Sequence, residues 1–164
     1  AMQRFDCDVL AHNPDFVLLE FGGNNSDFNN PERQVSLEEF SGYLMDFKRR
    51  LPPKTQVIVI TFPPVMDDQT ASRNHPKVKA GGGSDALVNG YREVTRQFAA
   101  QNLLPLVDLD RELKKLMSAA AKNHYTIDDG VHLTAAGNAV LAALVFDTLR
   151  LQIQLQCFGT KNRP

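Results

Sequence analysis

The chain has 164 residues, 43% of them hydrophobic and 23% charged, with a formal net charge of −1. This length and composition are typical of one globular domain, here residues 1–164. Because the net charge is near zero and no Lys/Arg run stands out, nucleic acid and anionic membrane surfaces are excluded as main partners. The two cysteines, Cys7 and Cys157, have no metal-ligand spacing, which favours two reduced thiols.

The N-terminal stretch QRFDCDVLAHNPD predicts a short amphipathic helix that ends at Asn13-Pro14. Ala1-Met2 is typical of a tag residue ahead of an initiator methionine, and no apolar signal-peptide core follows it. No uninterrupted apolar run is long enough to span a bilayer. We therefore expect the chain as given to be cytoplasmic, without a membrane span.

Short apolar segments alternate with helical patterns along the rest of the chain. Apolar runs bounded by turn residues predict buried parallel strands at residues 15–22, 56–62 and 104–110. Helices are predicted over residues 36–51, opened by a Ser36/Glu39 capping box, and over residues 85–102, 110–122 and 134–149, the last capped by Thr134. This alternation is typical of a doubly wound α/β sheet with right-handed crossovers.

Two segments allow more than one interpretation. Residues 66–84, with their glycine run, form either a linker or a loop near a functional site, and the continuous α/β pattern on both sides favours the loop. In residues 150–158, RLQIQLQCF, apolar and polar residues alternate strictly, which favours a strand. The alternative is a continuation of the last helix, since Leu and Gln are good helix formers.

The stretch GGNNSD follows the first predicted strand. Gly22 and Gly23 allow the backbone to turn sharply and approach a ligand, and Asn24 offers an amide N–H where a developing oxyanion could be held. Taken alone, an Asn-rich turn without function is the simpler interpretation.

The stretch DDGVH precedes the last predicted helix. Asp129 lies three residues before His132, with Gly130 between them, so its carboxylate can fold back onto the imidazole Nδ1–H. The alternative is a surface histidine in a helix-entry loop, where acidic residues favour the helix N-terminus.

Together, in this order and spacing, the two stretches resemble the SGNH/GDSL family of serine esterases and lipases (acylhydrolases). That family has a Gly-x-Asn-Asp block after a buried strand and an Asp-x-x-His block before the last helix. The matching residues here are Gly22-Gly23-Asn24-Asn25 and Asp129-Gly130-Val131-His132. The resemblance covers nearly all of residues 3–149. It implies a three-layer α/β/α, flavodoxin-like parallel sheet.

The resemblance also implies roles for these residues and a substrate class. Asn24 would donate to the oxyanion in the turn formed with Gly22 and Gly23, His132 would be the general base, and Asp129 would orient it. The implied reaction is hydrolysis of a small-molecule acyl or acetyl ester, without metal or cofactor. Asn25 stands where the family has Asp, which affects a supporting hydrogen bond rather than the Asn24 donor.

The family's nucleophile has no counterpart in this chain. It lies in a Gly-Asp-Ser block at the end of the first strand, and a second block supplies an oxyanion-hole glycine. Neither block is present, and none of the six serines stands in such a turn. Ser26, close to Asn24, is interpreted as a turn residue. The expected activity is therefore weak or absent, and the alternative function is a catalytically silent, oligomeric remnant that binds small carbonyl or sugar ligands.

The resemblance begins at the helix before the family's third strand, so the sheet is expected to lack the family's first strands. Residues 15–22 would then present an unpaired edge. We predict a homodimer in which residues 150–158 are exchanged to cover that edge, with coverage within one chain as the alternative.

Overall fold

A parallel sheet of three strands forms the centre of the structure, a computed structural model that describes residues 2–118 and 124–161. The strands are β1 (Phe16–Glu20), β2 (Gln56–Ile60) and β3 (Leu106–Val107), in the order β1-β2-β3. Both pairings are parallel. The α/β class and the three predicted strands are confirmed. The third is shorter than predicted, because Asp108 already caps the next helix by accepting the Arg111 N–H.

Six α-helices surround the sheet in the described part of the chain. They are α1 (Phe5–Asp8), α2 (Leu37–Arg50), α3 (Pro76–Ala80), α4 (Ser84–Gln101), α5 (Leu109–Met117) and α6 (Ala135–Lys161). The predicted capping box opens α2, since the Ser36 hydroxyl accepts the Glu39 N–H at 3.1 Å and the Glu39 carboxylate accepts the Ser36 N–H at 3.0 Å. The helix predicted over 110–122 is α5, and residues 119–122 lie outside the described part.

Alternate side chains of the strands bury two separate apolar clusters. On one face, Leu19, Val57 and Val59 pack with α2 and α4. On the other face, Ile58 and Ile60 pack with side chains of α5 and α6. Each fully buried large apolar side chain contributes about 1.5–3 kcal/mol relative to exposure. Helices therefore cover both faces of the sheet, as the resemblance implied.

Residues 150–158 are helical, so the prediction of an exchange strand there is wrong. They belong to α6, which runs without interruption from Ala135 to Lys161. Leu and Gln have high helix propensity, and extending an existing helix requires no new nucleus. Because a two-residue period does not match a helix, Leu151, Ile153 and Leu155 do not share one face, and all three are exposed.

The longer α6 has a further consequence. Its residues Ala135–Cys157 are long and apolar enough to cross a membrane, judged by length and composition only, with a mean hydropathy of 1.2. A helix that ended at residue 149, as predicted from the sequence, would have been too short to cross a membrane. Five apolar side chains of the same helix pack against the second cluster, namely Val140, Leu141, Leu144, Val145 and Leu149. The N-terminal half of α6 is thus part of the fold.

Leu103, just after α4, adopts a left-handed backbone conformation with φ +53° and is 93% exposed. Such a conformation costs a residue with a Cβ roughly 1 kcal/mol, and glycine is the usual residue there. We expect Leu103→Gly to raise the free energy of unfolding by about 0.5–1 kcal/mol, measured by urea denaturation. An unchanged or lower midpoint would contradict this assignment of strain.

Candidate active site

The turn after β1 carries Asn24 and packs against Tyr91 of α4. Gly22 has φ +115°, and a Cβ there would lie 2.9 Å from Cβ of Tyr91. The Tyr91 hydroxyl lies 3.1 Å from the carbonyl oxygen of Asn25 and 2.6 Å from that of Val35. Gly22 therefore allows this turn to approach Tyr91 more closely than a residue with a side chain could.

Phe62, two residues after β2, packs directly against the same turn. A Cβ on Gly23 would lie 2.1 Å from the Phe62 ring. Gly23 and Asn24 then begin a single 3-10 turn that spans Asn24–Ser26. The position of Asn24 thus depends on the backbone after two neighbouring strands, β1 and β2.

The loop before α6 brings Asp129 and His132 together. An oxygen of the Asp129 carboxylate lies 2.6 Å from Nδ1 of His132, and the other oxygen accepts the backbone N–H groups of Val131 at 2.8 Å and His132 at 2.9 Å. Gly130, with φ +70°, allows the tight reversal between them. The predicted contact between this carboxylate and the imidazole is present in the structure.

This geometry fixes which imidazole nitrogen is free. An ionised carboxylate only accepts hydrogen bonds, so in the neutral imidazole Nδ1 of His132 carries the proton and Nε2 presents its lone pair. The His132 side chain is 76% exposed, so its ring is accessible from solvent. Slight burial alone would raise the pKa of Asp129, but the His132 backbone N–H and imidazole and the Val131 N–H lower it below its ordinary value.

The lowered pKa of Asp129 predicts a defined pH dependence of the loop. A carboxyl whose pKa falls on folding stabilises the fold above its unfolded pKa, and this stabilisation is lost as the pH falls through the lowered pKa. We expect the 13C carboxyl signal of Asp129 to titrate below its ordinary pKa of 3.8. In His132→Ala the pKa should rise only part of the way back, because the two backbone N–H donors remain. A titration at the ordinary value in the unmutated chain would contradict the contact.

A cavity of about 120 Å³ lies between the two motifs. Gly23 and Asn24 line one side, and Val131, the neighbour of His132, lines another. Residues of the segment predicted as a loop near the site also line it, and their hydroxyls form a cluster in which Thr70 and Ser84 are 3.0 Å apart. The sequence did not single out this hydroxyl cluster, because scattered Ser and Thr residues are ordinary in loops.

The described residues contain no group of three or more His, Cys, Asp or Glu side chains placed to hold a metal ion. Cys7 and Cys157 are both exposed.

Comparisons with known proteins agree with the fold. The sequence model of the GDSL-like lipase/acylhydrolase family matches residues 1–140. No curated protein sequence matches the chain closely enough to count as a relative.

Solved structures share the fold at low sequence identity. A lipase/acylhydrolase from Enterococcus faecalis superposes with a TM-score of 0.72 at 22% identity, over 92% of this chain and 69% of that one. A catalytic mutant of an acetylxylan esterase from Geobacillus stearothermophilus gives 0.70 at 21% identity, over 90% and 64%. An α/β hydrolase from the metagenome of Lake Arreo, Spain, gives 0.71 at 21% identity, over 89% and 64%. The chain thus spans 64–69% of the length of these proteins. Since the family model covers most of its residues, this chain belongs to the GDSL-like lipase/acylhydrolase family.

Proposed function

We propose that this chain carries the base and the oxyanion-binding side of an ester hydrolase site. The observation that supports this most directly is the 2.6 Å contact between the Asp129 carboxylate and Nδ1 of His132. It leaves Nε2 as an acceptor for the proton of a nucleophile, which is the arrangement that a serine hydrolase requires. Asn24, on the wall of the adjoining cavity, is the proposed oxyanion donor.

In this proposal each residue acts at a definite step. His132 takes a proton at Nε2 from a water molecule that attacks the ester carbonyl, because the 164 residues contain no Gly-Asp-Ser serine, and Asp129 stabilises the imidazolium that forms. The Asn24 amide donates a hydrogen bond to the carbonyl oxygen as it becomes negatively charged. When the tetrahedral intermediate collapses, His132 returns the proton to the leaving alkoxide.

The proposed substrate is a small acyl ester, with an acetyl ester as the first to test. The Geobacillus stearothermophilus acetylxylan esterase has catalytic mutants in which a serine or a histidine is replaced by alanine. The 164 residues contain no Gly-Asp-Ser motif for such a serine. Three serines line the cavity, namely Ser26, Ser72 and Ser84. Ser26 is in the Asn24 turn, Ser72 lies in the loop before α3 and Ser84 begins α4, so none of the three stands in a Gly-Asp-Ser turn.

We expect slow hydrolysis of p-nitrophenyl acetate by the chain, because a base and one oxyanion donor without the nucleophile give only residual catalysis. His132→Ala should reduce the rate to that of buffer, and His12→Ala, a change to a histidine in another part of the chain, should leave it unchanged. Equal rates in the two variants would contradict the role of His132. A kcat on the order of 10 s⁻¹ that depends on His132 would show that another group serves as nucleophile, with Ser26→Ala as the next variant.

The second candidate is a catalytically silent protein that binds a small carbonyl or sugar ligand in the same cavity. The absent Gly-Asp-Ser motif favours it. Titration with sodium acetate or xylose, followed by NMR shifts of the Asn24 and Val131 amides, separates the two: saturable shifts without any His132-dependent turnover support binding alone.

We further propose that the chain forms a homodimer through the unpaired side of β1.

A further inference from the structure

The segment that leaves β2, residues 62–66, contacts both halves of the proposed site. At its start the Phe62 ring packs against Gly23, directly before Asn24. At its end the Met66 backbone N–H donates to the carbonyl oxygen of Gly130 at 2.8 Å, inside the loop that holds Asp129 and His132. A shift of this segment therefore has to move both halves.

Arg92, on α4, holds the first part of this segment. Its side chain is completely buried, at 0% exposure. Nε donates to the carbonyl oxygen of Phe62 at 3.0 Å and Nη2 to that of Pro63 at 2.6 Å. Such carbonyls at a strand end have no partner in the sheet, so a guanidinium with several donors in a fixed plane suits them.

Asp85 holds the next part of the segment and pairs with the same arginine. Its Oδ1 accepts Nη2 of Arg92 at 2.7 Å and the backbone N–H of Val65 at 2.9 Å. Burial alone would raise the pKa of Asp85, but the Val65 N–H, Arg92 and Lys114 together lower it below the ordinary value. The Asp85 carboxylate is thus ionised at neutral pH, and together with Arg92 it fixes three backbone groups of the segment, namely the carbonyl oxygens of Phe62 and Pro63 and the N–H of Val65.

We infer that Arg92 and Asp85 are positioning residues that lock residues 62–66 and thereby couple the Asn24 turn to the His132 loop. This inference rests on the proposed function for what Asn24 and His132 do. The coupling itself is a property of the folded chain and can be measured without substrate.

Arg96 provides a matched control. It lies one turn further along α4, is 9% exposed at its side chain, and bonds to the carboxylates of Asp108, Asp110 and Glu93. These contacts are all to carboxylate side chains, one of them on α4 itself, so Arg96 shares the burial and charge of Arg92 without its bonds to the Phe62 and Pro63 carbonyls. Its loss should destabilise the domain without a specific effect on the site.

The test compares Arg92→Lys with Arg96→Lys by amide hydrogen exchange and chemical shift. We expect exchange of the Met66 and His132 amides to become at least about tenfold faster in Arg92→Lys than in Arg96→Lys, after correction for global stability. The Asn24 amide signal should shift in Arg92→Lys alone. A purely structural role would change exchange equally at all amides in both variants, and that result would overturn the inference.

A milder variant covers the case in which Arg92→Lys does not fold. Phe62→Leu alters only the Gly23 end of the segment. Coupling predicts that the Gly130 and His132 amides shift as well as Asn24. A change confined to Asn24 would refute the coupling. Since no ester is used, a failed hydrolysis assay would count against the proposed function and not against this inference.

Discussion

Gly137→Ala is expected to lower the free energy of unfolding by about 1–3 kcal/mol, although alanine is the best helix former. Gly137 lies in the first turn of α6, and a Cβ there would lie 2.3 Å from the carbonyl oxygen of Tyr125 and 3.1 Å from the Leu133 side chain. Because the closest atom belongs to the backbone, it cannot rotate away. The change should push α6 from the loop that carries His132.

Gly42→Ala is the matched control, because Gly42 also lies inside a helix, α2, but a Cβ there meets no atom within 4 Å. It should raise the free energy of unfolding by about 0.5–1 kcal/mol through the lower conformational entropy of the unfolded chain. Urea denaturation of both variants measures the difference. If Gly137→Ala were stabilising to the same extent, the close packing of α6 on residue 125 would be disproved.

The same change should also affect the site. Thr134, whose hydroxyl accepts the Gly137 N–H at 3.2 Å, follows His132 by two residues. We expect the His132 amide signal to shift in Gly137→Ala and to remain in place in Gly42→Ala, as observed by 15N-resolved NMR. A His132 signal unaffected by Gly137→Ala would mean that the loop does not depend on the packing of α6.

Local signals in the sequence predicted the parts of the fold in which neighbours along the chain decide the structure. The partners in the Ser36/Glu39 capping box and in the Asp129–His132 contact are only three positions apart in the sequence, so their spacing fixes their geometry. The strands β1 and β2 were equally clear, since short, mainly apolar runs between turn residues match parallel strands.

Features that depend on distant residues were not predictable in this way. Arg92 contacts Phe62 and Pro63, about 30 positions earlier in the chain, and no spacing in the sequence indicates this contact. An arginine in an amphipathic helix is normally assigned to the exposed face, and this one is fully buried. The strand prediction for residues 150–158 was wrong for another reason. Their alternation of apolar and polar residues suits a strand, but the helix propensity of Leu and Gln and the adjoining helix favour a continuation of α6.

We expect the chain to associate with a second copy through β1. Within the described residues, β1 pairs with β2 on one side and with no strand on the other. A groove of about 290 Å³ lies along β1, lined by apolar side chains that include Phe5, Val17 and Phe21. An unpaired edge with apolar side chains attracts another strand. We therefore expect light scattering to give twice the 18.3 kDa mass of one chain.

Leu18, in the middle of β1 and 48% exposed, is the position at which to test this. Leu18→Lys should give a monomer, because a lysine on an edge strand must be desolvated when a second strand pairs there. Leu103→Lys is the matched control: Leu103 is also an exposed leucine, but it lies before β3, at the opposite side of the sheet. A chain ending at Arg150 tests the exposed end of α6. If that chain remained a dimer and Leu18→Lys did not, the contact would be at β1, whereas a monomer in the unmutated chain would refute the homodimer altogether.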